Sequence, residues 1–242
     1  MSVISTVLDR ITERLQIVRN PINRNDRYGA LYRSWGYVYT NLIKGGYYEF
    51  GLYQGEAFVN SWKINQLYRH WAKHQASSHE QWRREAISDF VDYQHPFYGF
   101  DSFEGIPTNT EGNVFFRQGT YAATEESVRH RCDRAAMNYQ LHQGFFADVG
   151  NQVTSTLAKA AIVNVDCDLY ISTVDALRLI APKLQQGTVV LMDDYNCFSA
   201  DNTQGERRAM KEFTLAHPAI EFEPWFAYQH VGQAFITHFR KA

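Results

Sequence analysis

The chain has 242 residues, 45% of them apolar and 21% charged, which excludes a disordered or fibrous protein and suffices for a substantial core. Lys and Arg number 24 against 26 Asp and Glu, a net charge of −2, so no basic face for nucleic acid or an anionic membrane is expected. No apolar run approaches the ~18 residues of a membrane span. The first residues lack the basic stretch of a secretory signal. The three cysteines have no CxxC spacing, so neither structural zinc nor a disulfide framework is expected, and a reducing cytoplasm is the expected location.

In chain order, residues 2–18 carry apolar side chains at helical spacing and end at Asn20-Pro21. Residues 28–43 predict an aromatic-rich second helix, 47–50 a short buried strand, 51–55 a turn and 56–71 a further helix. Residues 73–93 also have helical spacing, with Trp82, Ile87, Phe90 and Val91 among the apolar positions. Phe97–Asp101 predicts a strand running into a loop over 102–112. A helix follows over 125–139, a strand over 141–146, and a buried strand over 161–165. A helix over 172–184 takes Ser172 or Thr173 as its N-cap. A buried strand at 188–192, a helix at 204–217 and a strand pair at 220–225 and 233–239 complete the chain.

Short apolar strands alternating with helices predict an α/β fold, a mostly parallel sheet covered on both faces with an antiparallel addition at one edge. In such sheets ligands sit outside the carboxyl ends of the strands. Three groups of residues fall there. Glu49, Gly51 and Gly55 form a strand end and turn, either an ordinary tight β–α turn or one whose glycines let backbone approach a ligand. Asp101 and Ser102 end the next strand; a carboxylate has two acceptor oxygens for the two hydroxyls of a ribose. Asp166, Asp168, Asp193 and Asp194 crowd two further strand ends, a charge density that calls for a cation, an amine or retained protons. Cys167 lies between two acids that raise its pKa, which disfavours a thiolate nucleophile. The nine histidines form no metal-ligand pattern, and no nucleophile-elbow or P-loop sequence is present.

The segments GGYYEFGLYQGEAF, FYGFDSFEGIP, NVDCDLYISTVDALRLIAPKL and GTVVLMDDY resemble class I S-adenosylmethionine-dependent methyltransferases, and within them the macrocin/mycinamicin/novobiocin sugar O-methyltransferases. The resemblance runs from about Gly46 to Phe239, outside residues 63–95. It implies a Rossmann-like fold with a seven-stranded, mostly parallel sheet. It divides the chain into an N-terminal helical segment, 1–45, and a methyltransferase domain, 46–242, with a helical insertion at about 63–95. Carried over by motif, Glu49, Gly51 and Gly55 would cradle the methionine part of S-adenosylmethionine and Asp101, with Ser102, its ribose. Asp168, Asp193 and Asp194 would hold Mg2+ or Mn2+, and Asp168 would also serve as general base. The implied acceptor is a hydroxyl of a sugar or glycosylated small molecule.

Two other classes stay open at this point. A metal-dependent phosphoester hydrolase would need a basic residue near the acids, and within ten residues before Asp193 there is only Lys183. A non-catalytic nucleoside-binding or interaction domain has no reason to concentrate acids at strand ends. The apolar N-terminal helices, with Leu31, Trp35 and Val38, are expected to cover the substrate or to pair subunits in a homodimer or higher homo-oligomer.

Overall fold

A computed structural model describes residues 21–77, 80–109, 111 and 116–240. The helix expected over 2–18 lies outside these residues. Seven strands form one sheet: β1 (Gly46–Phe50), β2 (Phe97–Asp101), β3 (Gln140–Gln143), β4 (Ala160–Val165), β5 (Val189–Met192), β6 (Ile220–Tyr228) and β7 (Gly232–Phe239). Their spatial order is β3-β2-β1-β4-β5-β7-β6. The first five pair in parallel, and β7 joins β5 and β6 antiparallel, as the closely spaced final strands predicted.

The central strands β1, β2, β4 and β5 are buried at every position, which is why they read as mostly apolar runs without alternation, broken only by Glu49, Asp101 and Asn164. β3, Gln-Leu-His-Gln, is an edge strand and correspondingly polar. Neighbouring side chains of one strand point to opposite faces. Tyr47, Phe97 and Val189 therefore pack with α1 (Arg27–Thr40), α2 (Glu56–Ala76), α3 (Gln81–Val91) and α4 (Glu125–Arg134), through Leu31, Trp35, Phe58, Phe90 and Val128. Tyr48, Tyr98 and Val190 pack on the other face with α5 (Phe146–Val153), α6 (Tyr170–Ile180) and α7 (Gly205–Ala216), through Val149, Leu177 and Phe213.

Within residues 63–95, 63–76 complete α2 and 81–91 form α3. Ile87 and Phe90 turn inward, while Leu67, Trp71 and Trp82 stay exposed. Phe90 meets Tyr39 edge to face at 5.2 Å and packs against His95. His95 is 4% exposed, and its Nδ1 lies 2.7 Å from the Gly45 carbonyl oxygen just before β1. This region thus braces the end of the sheet where β1 and β2 begin.

Several element boundaries differ from expectation. α4 stops at Arg134 and β3 at Gln143, both short of the apolar residues that extended them on paper. α6 starts at Tyr170, with Leu169 as its N-cap and no side-chain cap of its own. The Thr173 hydroxyl instead donates back to the Leu169 carbonyl at 2.9 Å. The orphan N–H of Tyr170 is accepted by Glu111 at 2.8 Å, and the other oxygen of Glu111 accepts from Gly205 N–H at 2.7 Å. One distant carboxylate therefore caps the starts of both α6 and α7.

Candidate functional site

The chain turns outward in opposite directions from β1 and β4, so a crevice opens at their carboxyl ends. A cavity of about 530 Å³ lies there, within the range of small-molecule sites. Its wall includes the ends of β1, β2, β4 and β5, α1 through Arg27, and the loop after β2 through Ile106 and Phe116.

In the half formed by β1 and β2, Gly51, Asp101 and Ser102 line the cavity. Gly51 has φ +87°, and a Cβ there would lie 1.9 Å from the Asp166 carbonyl oxygen. Only glycine lets β1 end this close to β4. Gly55 (φ +72°) starts α2 behind the wall, where a Cβ would meet Val128 at 3.0 Å. The Asp101 carboxylate accepts from Leu52 N–H at 2.7 Å and Tyr53 N–H at 3.0 Å through Oδ2, and from Phe103 N–H at 2.7 Å through Oδ1. A carboxylate offers about four acceptor positions. Three are used, leaving one for a ligand rather than the two that a bidentate ribose contact needs. Ser102 accepts from Glu104 N–H at 3.1 Å and donates to the Gly105 carbonyl at 3.3 Å.

Glu49 departs from its expected place. It is fully buried and absent from the cavity wall, and the Tyr47 hydroxyl donates to it. Burial pushes its carboxyl up to about 7, against the hydrogen bond from Tyr47 and the charge of Arg27. Strand alternation explains the departure: Glu49 shares the Tyr47 face of β1, under α1, and so points away from the turn.

In the half formed by β4 and β5, Asp166, Asp168, Asp193 and Asp194 all line the cavity. The expected metal trio was Asp168, Asp193 and Asp194. The carboxylate oxygens that converge, within 4.8 Å of one another, are instead those of Asp166, Asp193 and Asp194. The reason is local backbone. β4 ends at Val165 and Asp168 sits at φ +63°, so the alternation that would align Asp166 with Asp168 has already stopped. Burial, then the neighbouring charge of Asp194, raises Asp168 to about 8, and its protonated carboxyl donates to Asp194. Burial, then Asp193, raises Asp166 well above the usual carboxylate range. Beneath them Glu206 accepts from Asp194 N–H at 3.1 Å; burial, then the neighbouring aspartates, raises its carboxyl well above the usual carboxylate range. Cys167 is raised as well, by burial first and then by Glu206, and its thiol stays protonated.

Arg27, which sequence reasoning missed, completes the cluster. Its Nη1 is 2.9 Å from one Asp166 oxygen and its Nη2 3.2 Å from the other. Its Nε donates to Asp193 at 3.1 Å, and Nη2 also pairs with Asp193. Burial works against its charge, but Asp166 and Asp193 outweigh that and strengthen it. Carboxylates are the donor type a hard divalent cation takes. Here, however, two of the three convergent carboxylates already face a guanidinium, so the set as arranged does not fit a metal. At the cavity's outer part, Tyr53, Tyr121, Phe145 and Ile171 expose apolar surface, with the Tyr53 and Tyr121 rings edge to face at 5.7 Å.

A seven-stranded, mostly parallel sheet with helices on both faces and a ligand-sized crevice at the strand ends is the fold of class I S-adenosylmethionine-dependent methyltransferases. The solved structure of the O-methyltransferase NovP superimposes with a TM-score of 0.62 at 21% identity, covering 87% of this chain and 78% of that one. The chain belongs to the macrocin O-methyltransferase (TylF) family, whose sequence model matches residues 88–236. Among curated proteins, a demethyldecarbamoylnovobiocin O-methyltransferase of Streptomyces niveus is 34% identical over 139 residues, 51% of this chain and 50% of the relative. An 8-demethyl-8-(2,3-dimethoxy-alpha-L-rhamnosyl)-tetracenomycin-C 4'-O-methyltransferase of Streptomyces olivaceus is 31% identical over 106 residues, 39% of this chain and 40% of the relative. The chain thus spans half or less of the length of these curated relatives in the matched region.

Proposed function

We propose that the protein is an S-adenosylmethionine-dependent O-methyltransferase acting on a hydroxyl of a sugar or glycosylated small molecule. The observation that carries this reading is one continuous cavity. It joins the turn tied to Asp101 on one side to a cluster of four aspartates on the other, in a chain of the macrocin O-methyltransferase family. S-adenosylmethionine, when bound, supplies a methyl group on a sulfonium. Positioning donor and acceptor then accounts for much of the rate.

The chain's own residues divide the remaining work. The free acceptor position on Asp101 takes a ribose hydroxyl, and the N–H groups it gathers fix the Gly51–Gly55 turn against the donor. Asp168, once it has lost the proton it shares with Asp194, takes the proton of the acceptor hydroxyl. With a carboxyl raised to about 8, that ionised form builds up only toward mildly alkaline pH. The apolar rim of Tyr53, Tyr121, Phe145 and Ile171 suits the CH face of a sugar ring or a flat aglycone. No step is assigned to a metal. The phosphoester-hydrolase reading asks for a basic residue at the acids, and Arg27 is there. Four of its five guanidinium N–H groups already face Asp166 and Asp193, which leaves a single one for a phosphate, too few for the bidentate grip that an Arg gives that group.

Calorimetric titration with S-adenosylhomocysteine, with and without Mg2+, tests the donor assignment. Saturable binding at one site per chain is the expected result; absence of binding in both conditions would overturn the reading. Mass spectrometry of a panel of glycosides and deoxysugar nucleotides incubated with S-adenosylmethionine then identifies the acceptor class by a gain of one methyl group.

A further inference from the structure

Arg27 comes from far away in the sequence and is held rigidly where it acts. Asp26 caps α1 by accepting from Gly29 N–H at 2.8 Å, and the helix is anchored by the fully buried Leu31, Trp35 and Val38. The guanidinium at the start of that helix meets Asp166 through Nη1 and Nη2 and Asp193 through Nε and Nη2. Nη2 is shared between the two carboxylates, at the point where they converge. A divalent ion bound by Asp166, Asp193 and Asp194 would need an oxygen from each at about 2.0–2.6 Å. Its natural position between Asp166 and Asp193 is therefore taken by a nitrogen that carries positive charge and cannot lose it.

We propose that Arg27 is the resident cation of the aspartate cluster and that the site works without a divalent metal. The planar fork matches two carboxylates with directed hydrogen bonds, which a metal would satisfy by coordination. Arg27 acts as a positioning residue: it fixes Asp166 and Asp193 beside the Asp168–Asp194 pair and supplies the positive charge at that end of the cavity. An ion could enter only if the guanidinium left two partners at once. The statement about activity rests on the methyltransferase reading; the statement about cation occupancy does not.

The test is Mn2+ binding, followed by electron paramagnetic resonance and by calorimetry, on the metal-stripped full chain. Wild type is expected to bind no stoichiometric Mn2+ under conditions that saturate Arg27→Met. The variant is expected to bind one Mn2+ per chain and to lose it again when Asp193→Asn is added. Mg2+ should raise the melting temperature of Arg27→Met and leave that of wild type in place. One tightly bound Mn2+ in wild type overturns the proposal, and that measurement needs no variant to fold. A folded Arg27→Met that binds no Mn2+ overturns it too. Methyl transfer by wild type, once an acceptor is in hand, should be unchanged in EDTA. Failure to find any acceptor bears on the proposed function and leaves the Mn2+ results to judge this inference.

Discussion

The Asp101 carboxylate accepts the Leu52 N–H at 2.7 Å, so the end of β2 is locked to the turn that leaves β1. Tyr53 and Phe103 N–H groups converge on the same carboxylate. The acid expected to recognise the donor is therefore also what shapes the donor's half of the cavity.

Asp101→Asn replaces one acceptor oxygen by an NH2 group, which cannot accept the N–H groups it faces. Two effects are expected together. Stability should fall by roughly 1–3 kcal/mol, because hydrogen bonds to a charged group are lost. S-adenosylhomocysteine affinity should fall by about tenfold or more, the equivalent of ~1.4 kcal/mol. Chemical denaturation and calorimetry read the two separately, and unchanged donor affinity in a folded variant would confine Asp101 to a structural role.

Asp168→Asn keeps the side-chain shape and removes the proton acceptor. Methyl transfer should drop by about 10²–10⁴-fold, the usual contribution of a general base. Donor affinity should change little, because Asp168 follows β4 while the donor's turn follows β1. A variant retaining wild-type turnover would move the base assignment elsewhere in the cluster.

Two glycines with similar backbone separate conformational strain from crowding. Gly51 (φ +87°) faces the Asp166 carbonyl, whereas Gly119 (φ +77°) has no atom within 4 Å of the built Cβ. Gly119→Ala should cost about 1–2 kcal/mol, the left-handed penalty alone. Gly51→Ala should cost clearly more and displace Asp166. Equal losses in denaturant midpoint would show that the ends of β1 and β4 are not in close contact.

His95 gives a pH dependence of known sign. Burial lowers its pKa to about 4 from the ordinary 6.5, so the unfolded chain binds a proton that the folded chain refuses between these values. Stability from this group is complete above about 6.5 and is lost as pH falls toward 4, by about 3 kcal/mol in all. The raised carboxyls work in the opposite direction, so the comparison is made with His95→Gln, which keeps an amide N–H for Gly45. The stability gap between wild type and variant should move in the variant's favour from pH 7 to pH 4.5. A gap independent of pH would mean that the imidazole titrates normally.

The strands were legible because the central ones are buried on both faces and so are mostly apolar without alternation, and because each is ended or directly followed by an acid or glycine. What escaped has physical causes. Arg27 pairs with Asp166 and Asp193 from the other end of the chain, and no local spacing marks such a contact. The motif resemblance puts Asp168 in the metal trio, but its left-handed backbone after the end of β4 leaves Asp166 to converge with Asp193 and Asp194. Glu49 ends a strand as an acid should, but alternation turns it beneath α1. The start of α6 was misplaced because its cap is Glu111, from a loop, and not a neighbouring hydroxyl.

The pairing of β1 with β4 also governs when the site exists. Tyr47 sits opposite Ile162, roughly 115 residues along the chain, and such non-local pairings form late and slowly. β1 with β2 and β4 with β5 are each closer in sequence and can assemble as separate ribbons. Neither ribbon alone contains both the Asp101 turn and the aspartates, and Arg27 has to dock with α1 on top of them. During refolding, recovery of donor binding should therefore trail the recovery of far-ultraviolet dichroism. A ligand added early would find nothing to select until the two halves of the sheet have joined.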